Sequence, residues 1–142
     1  MDRSSNASGT VSLVARILLA LLFLGSGLGK LAAPAGTQAY MAASGVPMVS
    51  LAYIAAIVAE VGGGLLLLVG YRTRLAAFTL TVFTLAATVL FHSNMADQNQ
   101  MIHVMKNLAI IGGLLNVAAF GAGRISIDQR RANNATVSAS AA

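Results

Sequence analysis

The sequence predicts an all-α protein: an integral membrane four-helix bundle with both termini cytoplasmic. Three observations carry this expectation. Hydrophobic residues make up 57% of the 142-residue chain and charged residues only 9%, where an ordinary soluble domain carries about 25% charged residues. Four apolar runs follow one another, each near the roughly 20 residues that a helix needs to cross about 30 Å of hydrocarbon. Most of the cationic residues gather at alternate breaks between those runs, the pattern that sets orientation in a membrane.

The elements follow in order. Residues 1–10 (MDRSSNASGT) are polar, lack an apolar face and are expected to be disordered. The first apolar run covers Val11 to Ala32 and stops before Pro34 and Gly36. Arg3 followed by the apolar stretch Leu18 to Leu24 resembles a signal peptide, but Ala33-Pro34-Ala35 is a poor cleavage site, so the first helix is expected to be retained. The link that follows holds Tyr40 and Met41 and suits the membrane interface; it closes at Gly45-Val46-Pro47. The second run is Val49 to Gly70, with Tyr53 and Tyr71 near its two ends as interfacial anchors. A short turn leads to the third run, Leu75 to His92, the shortest of the four. A polar loop, Ser93 to Gln100, precedes the fourth, Ile102 to Phe120. Backbone groups in lipid must bond internally, so each run is expected to be helical. Residues 11–128 thus form one transmembrane domain, and 129–142 a low-complexity tail expected to be disordered.

Charge gives the orientation. Arg3 and Arg16, then Arg72 and Arg74, then Arg124, Arg130 and Arg131 all fall toward one side. The loops between runs one and two and between runs three and four hold neither Lys nor Arg. The positive-inside rule therefore places both termini and the turn between runs two and three in the cytoplasm. The net charge of +5 is too thinly spread to make a nucleic-acid surface. The absence of cysteine excludes disulfides, thiol chemistry and Cys-ligated clusters. Electrons, if the protein handles them, must reside on a bound cofactor or a partner.

An ionisable side chain inside a membrane helix is disfavoured by about 2.5–3.5 kcal/mol on insertion scales, which makes it a functional candidate. Arg16, Lys30, Glu60, His92 and Lys106 qualify. Glu60 sits mid-helix among apolar and Gly neighbours, so it must be protonated or paired with a cation; Arg16, Lys30 and Lys106 are the candidates. Arg16 and Lys30 share one helix face, and His103, Lys106 and Asn107 share another. Thr81, Thr84 and Thr88 continue the face of His92. Gly25 and Gly29, with Gly27 beside them, and Gly62-Gly63-Gly64 permit close approach of a helix or a ligand. Lys30, Glu60, His92, Lys106 and Asn107 are therefore expected to line one site in the outer half of the bundle, with Arg16 as a buried charge partner. Each has a plainer reading: a structural ion bridge for Glu60, hydrated boundary imidazoles for the histidines, and threonines bonded to their own backbone. No metal site is expected, because the two histidines lie on different helix ends and no metal-binding motif is present.

The succession of these residues resembles the DoxX family. It runs from Arg16 through Gly25-Ser-Gly27-Leu-Gly29-Lys30, Glu60-Val-Gly62-Gly63-Gly64, Gly70-Tyr-Arg72-Thr-Arg74 and Phe91-His92 to Lys106-Asn107 and Gly123-Arg124-Ile-Ser126-Ile-Asp128. The resemblance implies a four-helix protein of the bacterial inner membrane. It implies a role only loosely: some relatives are associated with quinone-linked sulfur oxidation and others with oxidative-stress enzymes. The resulting expectation is a quinone-interacting subunit of a membrane oxidoreductase system, with a soluble or membrane redox partner and room for a homo-oligomer. The alternative is a non-enzymatic anchor, or a bundle that holds a small amphiphile or anion. A catalytic residue is not assigned.

Overall fold

The apolar runs fold as helices because hydrocarbon offers the backbone no other partner. In the computed structural model, residues 3–92 and 96–140 are described. Residues 93–95 of the polar loop, and 1–2 and 141–142 of the two tails, lie outside the described residues. The order is α1 (Arg3–Ala32), α2 (Pro34–Ala43), α3 (Val49–Ile57), a π-helical turn (Val58–Gly62), α4 (Gly63–Val69), α5 (Thr73–Phe91), α6 (Gln98–Phe120) and α7 (Ile127–Ser140). The described residues contain no strand. Among the described residues, four stretches are long and apolar enough to cross a membrane: Ala7–Ala32, Val49–Val69, Thr73–Phe91 and Gln98–Phe120. The second of these is α3, the π turn and α4 in continuous succession.

The helix ends follow local rules. Pro34 opens α2, where its missing N–H is not needed. Gly70, at φ +70°, ends α4 in the left-handed conformation that glycine tolerates best. Asp97 caps α6 by accepting from the backbone N–H groups of Asn99 and Gln100. That cap explains why the fourth helix begins at Gln98 rather than at the expected Ile102. Ser126 caps α7, its Oγ accepting from Gln129 N at 3.1 Å. The first turn of α5 is served from far away. Asp128 accepts from Arg72 N at 2.8 Å and from Thr73 N at 2.9 Å, and its own N–H donates to Gly70 O.

The spans meet around Ala20, Phe23, Leu67, Ala76, Ala77, Leu80, Leu114 and Val117. A smaller cluster of Met41, Val46 and Ala56 joins α2 to the second span. Large apolar side chains such as Leu21, Phe78, Val89 and Phe120 point outward, as they must where lipid is the solvent. The glycines bring spans together: a Cβ on Gly63 would lie 2.9 Å from Leu80 Cγ, and one on Gly64 the same distance from Leu24 Cγ. The threonine stripe is buried, and each hydroxyl donates to its own helix: Thr81 to Ala77 O, Thr84 to Leu80 O and Thr88 to Thr84 O.

Helical structure runs into both tails. Helix α1 reaches back to Arg3, and Gly9 is buried against Arg124. Helix α7 carries the other tail to Ser140, with every residue from Gln129 to Ser140 exposed. The physical reason at the second end is the Ser126 cap. Ser126-Ile-Asp-Gln129 has the spacing of a capping box, a start signal that composition alone does not register.

Candidate functional site

Glu60 lies in the π turn of the second span and is 4% exposed. A π turn admits one residue more than an α turn, and such turns recur where a side chain must be re-aimed. Glu60 meets Lys30 from the first span. Lys30 Nζ donates to both carboxylate oxygens, at 2.9 and 2.8 Å. Ser26, one turn before Lys30, donates to Glu60 Oε1 at 3.0 Å and accepts from Lys30 Nζ at 2.9 Å. Tyr53 donates to Lys30 O. Gly27 makes the meeting possible: a Cβ there would stand 2.7 Å from Val61 Cγ2 and 3.2 Å from Glu60 Cβ.

The ion pair forms the polar corner of a cavity of about 480 Å³. Its lining includes Lys30, Glu60, His92, Lys106 and Asn107 together, one or more from each span or its end. Phe23, Phe83 and Phe91 provide aromatic wall, and Tyr40 and Met41 of α2 lie over it. Tyr40 stacks on Phe91 with ring centroids 5.5 Å apart, which ties α2 to the end of α5. Asn107 donates to Thr88 Oγ1 at 2.9 Å, and Thr88 in turn donates to Thr84 O. That chain fixes the Asn107 amide while leaving its carbonyl and second N–H for other partners. At one end of the cavity, His92 Nδ1 lies 2.7 Å from Gln100 Oε1 and its ring stacks on His103. Lys106 Nζ is 3.4 Å from His103 Nδ1. Among the described residues no three His, Cys, Asp or Glu side chains come together as a metal site would need.

Arg16 corrects one expectation. It is buried, at 1% exposure, but it is not a partner of Glu60. Its Nη1 donates to Leu67 O at 2.9 Å and its Nη2 to Ile125 O at 2.6 Å. Residues 16 and 30 share a face of α1, but at 1.5 Å per residue they stand about 21 Å apart along it. Arg16 therefore serves the opposite end of the bundle, where it ties the C-terminal segment to the second span. Asp128 belongs to the same end. Burial pushes its carboxyl up, but the N–H groups of Thr73 and Arg72 and the charge of Arg16 outweigh that and hold it below the usual carboxylate range. Tyr71 lies between Arg72 and Arg131, whose guanidinium carbons are 5.9 and 5.3 Å from its ring centre. Hydrogen bonding to Arg131, then to Arg72, and their charges hold its phenol below its usual value.

Sequence reasoning missed several cavity residues. Ser26 was readable as the i, i+4 neighbour of Lys30. Tyr40 and Met41 were read as interfacial, with no signal that they would fold back over a cavity. The π turn has no sequence signature beyond the run of small residues after Glu60.

The comparisons agree with this architecture. The DoxX family profile matches residues 11–93. Inner membrane protein YqjF of Escherichia coli strain K12 is 48% identical over 117 residues, covering 82% of this chain and 88% of the relative. Inner membrane protein YphA of the same organism is 38% identical over 123 residues, covering 83% of this chain and 88% of the relative. No solved structure matches the chain significantly. With four apolar spans, the matched profile and two relatives aligned over most of their length, the chain belongs to the DoxX family.

Proposed function

We propose that this protein resides in a bacterial inner membrane with both termini cytoplasmic, and that its outer-half cavity binds a quinone on behalf of a membrane oxidoreductase. The observation that carries this reading is the Lys30–Glu60 pair, closed in by apolar and aromatic walls. A quinone head group is a flat apolar ring with two carbonyl acceptors, and the bilayer supplies it. The aromatic and aliphatic walls suit the ring, while Asn107, Lys106 and His92 offer donors for the carbonyls. Bound there, a quinone supplies two-electron, two-proton chemistry. The chain's own part is to hold the ring, orient its carbonyls and keep a proton-carrying group, Glu60, nearby. The electrons come from a partner dehydrogenase, because the cysteine-free sequence has no cluster ligands.

A second reading rests on charge. Lys30 and Lys106 face one Glu60 in the cavity, so an acidic amphiphile is also favoured, with the protein acting as a holder or anchor and not as part of an enzyme. One experiment separates the two. Protein extracted in mild detergent is analysed for copurifying lipid, alongside Glu60→Gln and Asn107→Leu variants. Stoichiometric quinone, lost in both variants, supports the first reading. A recurrent acidic lipid without quinone supports the second and sinks the first.

A further inference from the structure

His92 reaches the outer-half cavity from the end of α5 and is held there from α6. Asp97 caps α6, so that the helix starts at Gln98. That start puts Gln100, His103 and Asn107 at i, i+3 and i+7, on one stripe of the helix. The stripe faces α5, where Asn107 bonds Thr88. Helix α5 stops at Phe91, and His92, at φ −130°, turns out of it. The His92 side chain then meets the same stripe. Its Nδ1 donates to Gln100 Oε1 at 2.7 Å, since a carboxamide oxygen can only accept. One face of the ring lies on His103, with centroids 4.7 Å apart and planes 13° from parallel. His92 lines the cavity, whereas Gln100 and His103 stand outside its lining. Among the described residues the ring is therefore held at Nδ1 and on one face, both from outside the cavity. The Nε2 edge is the part left for a ligand. With a hydrogen fixed on Nδ1, the neutral ring offers Nε2 as an acceptor, and the imidazolium offers it as a donor.

We infer, resting on the quinone reading above, that His92 Nε2 exchanges a proton with a ring oxygen of the ligand and that Gln100 is its positioning residue. As an imidazolium, His92 donates from Nε2 to a carbonyl oxygen. When the partner dehydrogenase delivers an electron pair to the ring, His92 gives that hydrogen up. The N–H bond breaks, an O–H bond forms, and the imidazole is left neutral with its remaining hydrogen on Nδ1. The second oxygen takes its proton from the Lys30–Glu60 corner. Neutral His92 then accepts from the new hydroxyl, so one contact serves both the oxidised and the reduced ligand. The opposite tautomer, with its hydrogen on Nε2, could not accept, and the Gln100 bond disfavours it. The charged and titratable groups facing His92 are His103 and Lys106 of α6, with Lys30 and Glu60 on the cavity wall. From α2, Tyr40 stacks on the adjacent Phe91.

The test uses the full-length chain in mild detergent with isotopically labelled histidine, read by nitrogen NMR. The chain has two histidines, so His103→Gln assigns the spectrum. At about pH 8.5, above the ordinary imidazole range, His92 should carry its hydrogen on Nδ1, a reading that needs no substitution at the site. Gln100→Leu should shift the hydrogen toward Nε2, and Gln100→Glu, which keeps an acceptor oxygen there, should hold it on Nδ1. Binding of decylubiquinone and of its reduced quinol is then read anaerobically by thermal shift. Gln100→Leu should weaken the quinol about fivefold, the worth of one hydrogen bond, and leave the quinone, whose carbonyls take a donor, no weaker. Gln100→Glu should restore the quinol. A merely structural role for Gln100 would weaken both forms alike. A His92 hydrogen on Nε2 in the parent, or equal weakening of the two forms, overturns the proposal and leaves the quinone reading standing. A parent that binds neither form sinks the quinone reading, and the proposal with it, whatever the tautomer.

Discussion

Replacing Glu60 by Gln isolates the energetic role of the buried ion pair. The substitution keeps size and one acceptor oxygen, so Ser26 retains a partner. What it removes is the negative charge that neutralises Lys30. The Glu60 side chain is 6% exposed and the Lys30 side chain 22%, with the closest N···O approach at 2.8 Å. Removing one member of a fully buried pair costs about 3–5 kcal/mol. Lys30 reaches the cavity and keeps some access to water there, which places the expected cost near the low end, about 3 kcal/mol. On the scaling for soluble domains of this size, that corresponds to a midpoint lowered by roughly 6–12 °C. The assay is thermal unfolding in a mild detergent, followed by the loss of helical circular dichroism. A double variant, Glu60→Gln with Lys30→Met, removes both charges and should recover part of the loss, because two contacting residues do not contribute additively. A Glu60→Gln midpoint within a degree of the parent, or a double variant no better than the single one, means that the pair does not hold the spans together.

Other outcomes follow from particular contacts. Gly27→Ala forces its new methyl against Val61 and should lower stability by about 1–3 kcal/mol; adding Val61→Ala, which removes the clashing methyl groups, should restore most of it in the same melt. Arg16→Gln leaves Leu67 O or Ile125 O without a buried donor, which should lower stability by about 1–3 kcal/mol and speed protease cleavage around Arg124; an unchanged cleavage rate would break the link between Arg16 and the C-terminal segment. Asp128 carries a depressed carboxyl, so its stabilisation is present above the ordinary carboxylate range, near pH 4, and fades as pH falls through the lower folded value. Asp128→Asn should therefore be less stable than the parent at neutral pH, and the gap should close in strong acid; a gap independent of pH would assign the effect to shape rather than charge. Reporter fusions after Arg131 should read cytoplasmic and insertions near Gln98 external, and an external reading at Arg131 would reverse the proposed orientation.

The sequence by itself determined the number and position of the spans, because crossing hydrocarbon imposes a local demand of length and apolarity that each segment meets or fails alone. It also marked Lys30, Glu60, His92, Lys106 and Asn107 as the polar groups in those segments that need an account, since each is disfavoured wherever it points. The structure brings all five to one cavity. Which groups pair was a different matter. Helical periodicity gives the face a residue occupies, but the level at which two helices meet depends on how closely their backbones approach. Here Gly27 against Val61 and the π turn around Glu60 set that level. They give Glu60 to Lys30 and leave Arg16, on the same face of α1, to the carbonyls of Leu67 and Ile125. The service of Asp128 to the first turn of α5 was equally closed to sequence reasoning, because donor and acceptor are 55 and 56 residues apart and no local pattern joins them. Only the packed bundle brings such groups together, since each bond depends on positions fixed by every helix between them.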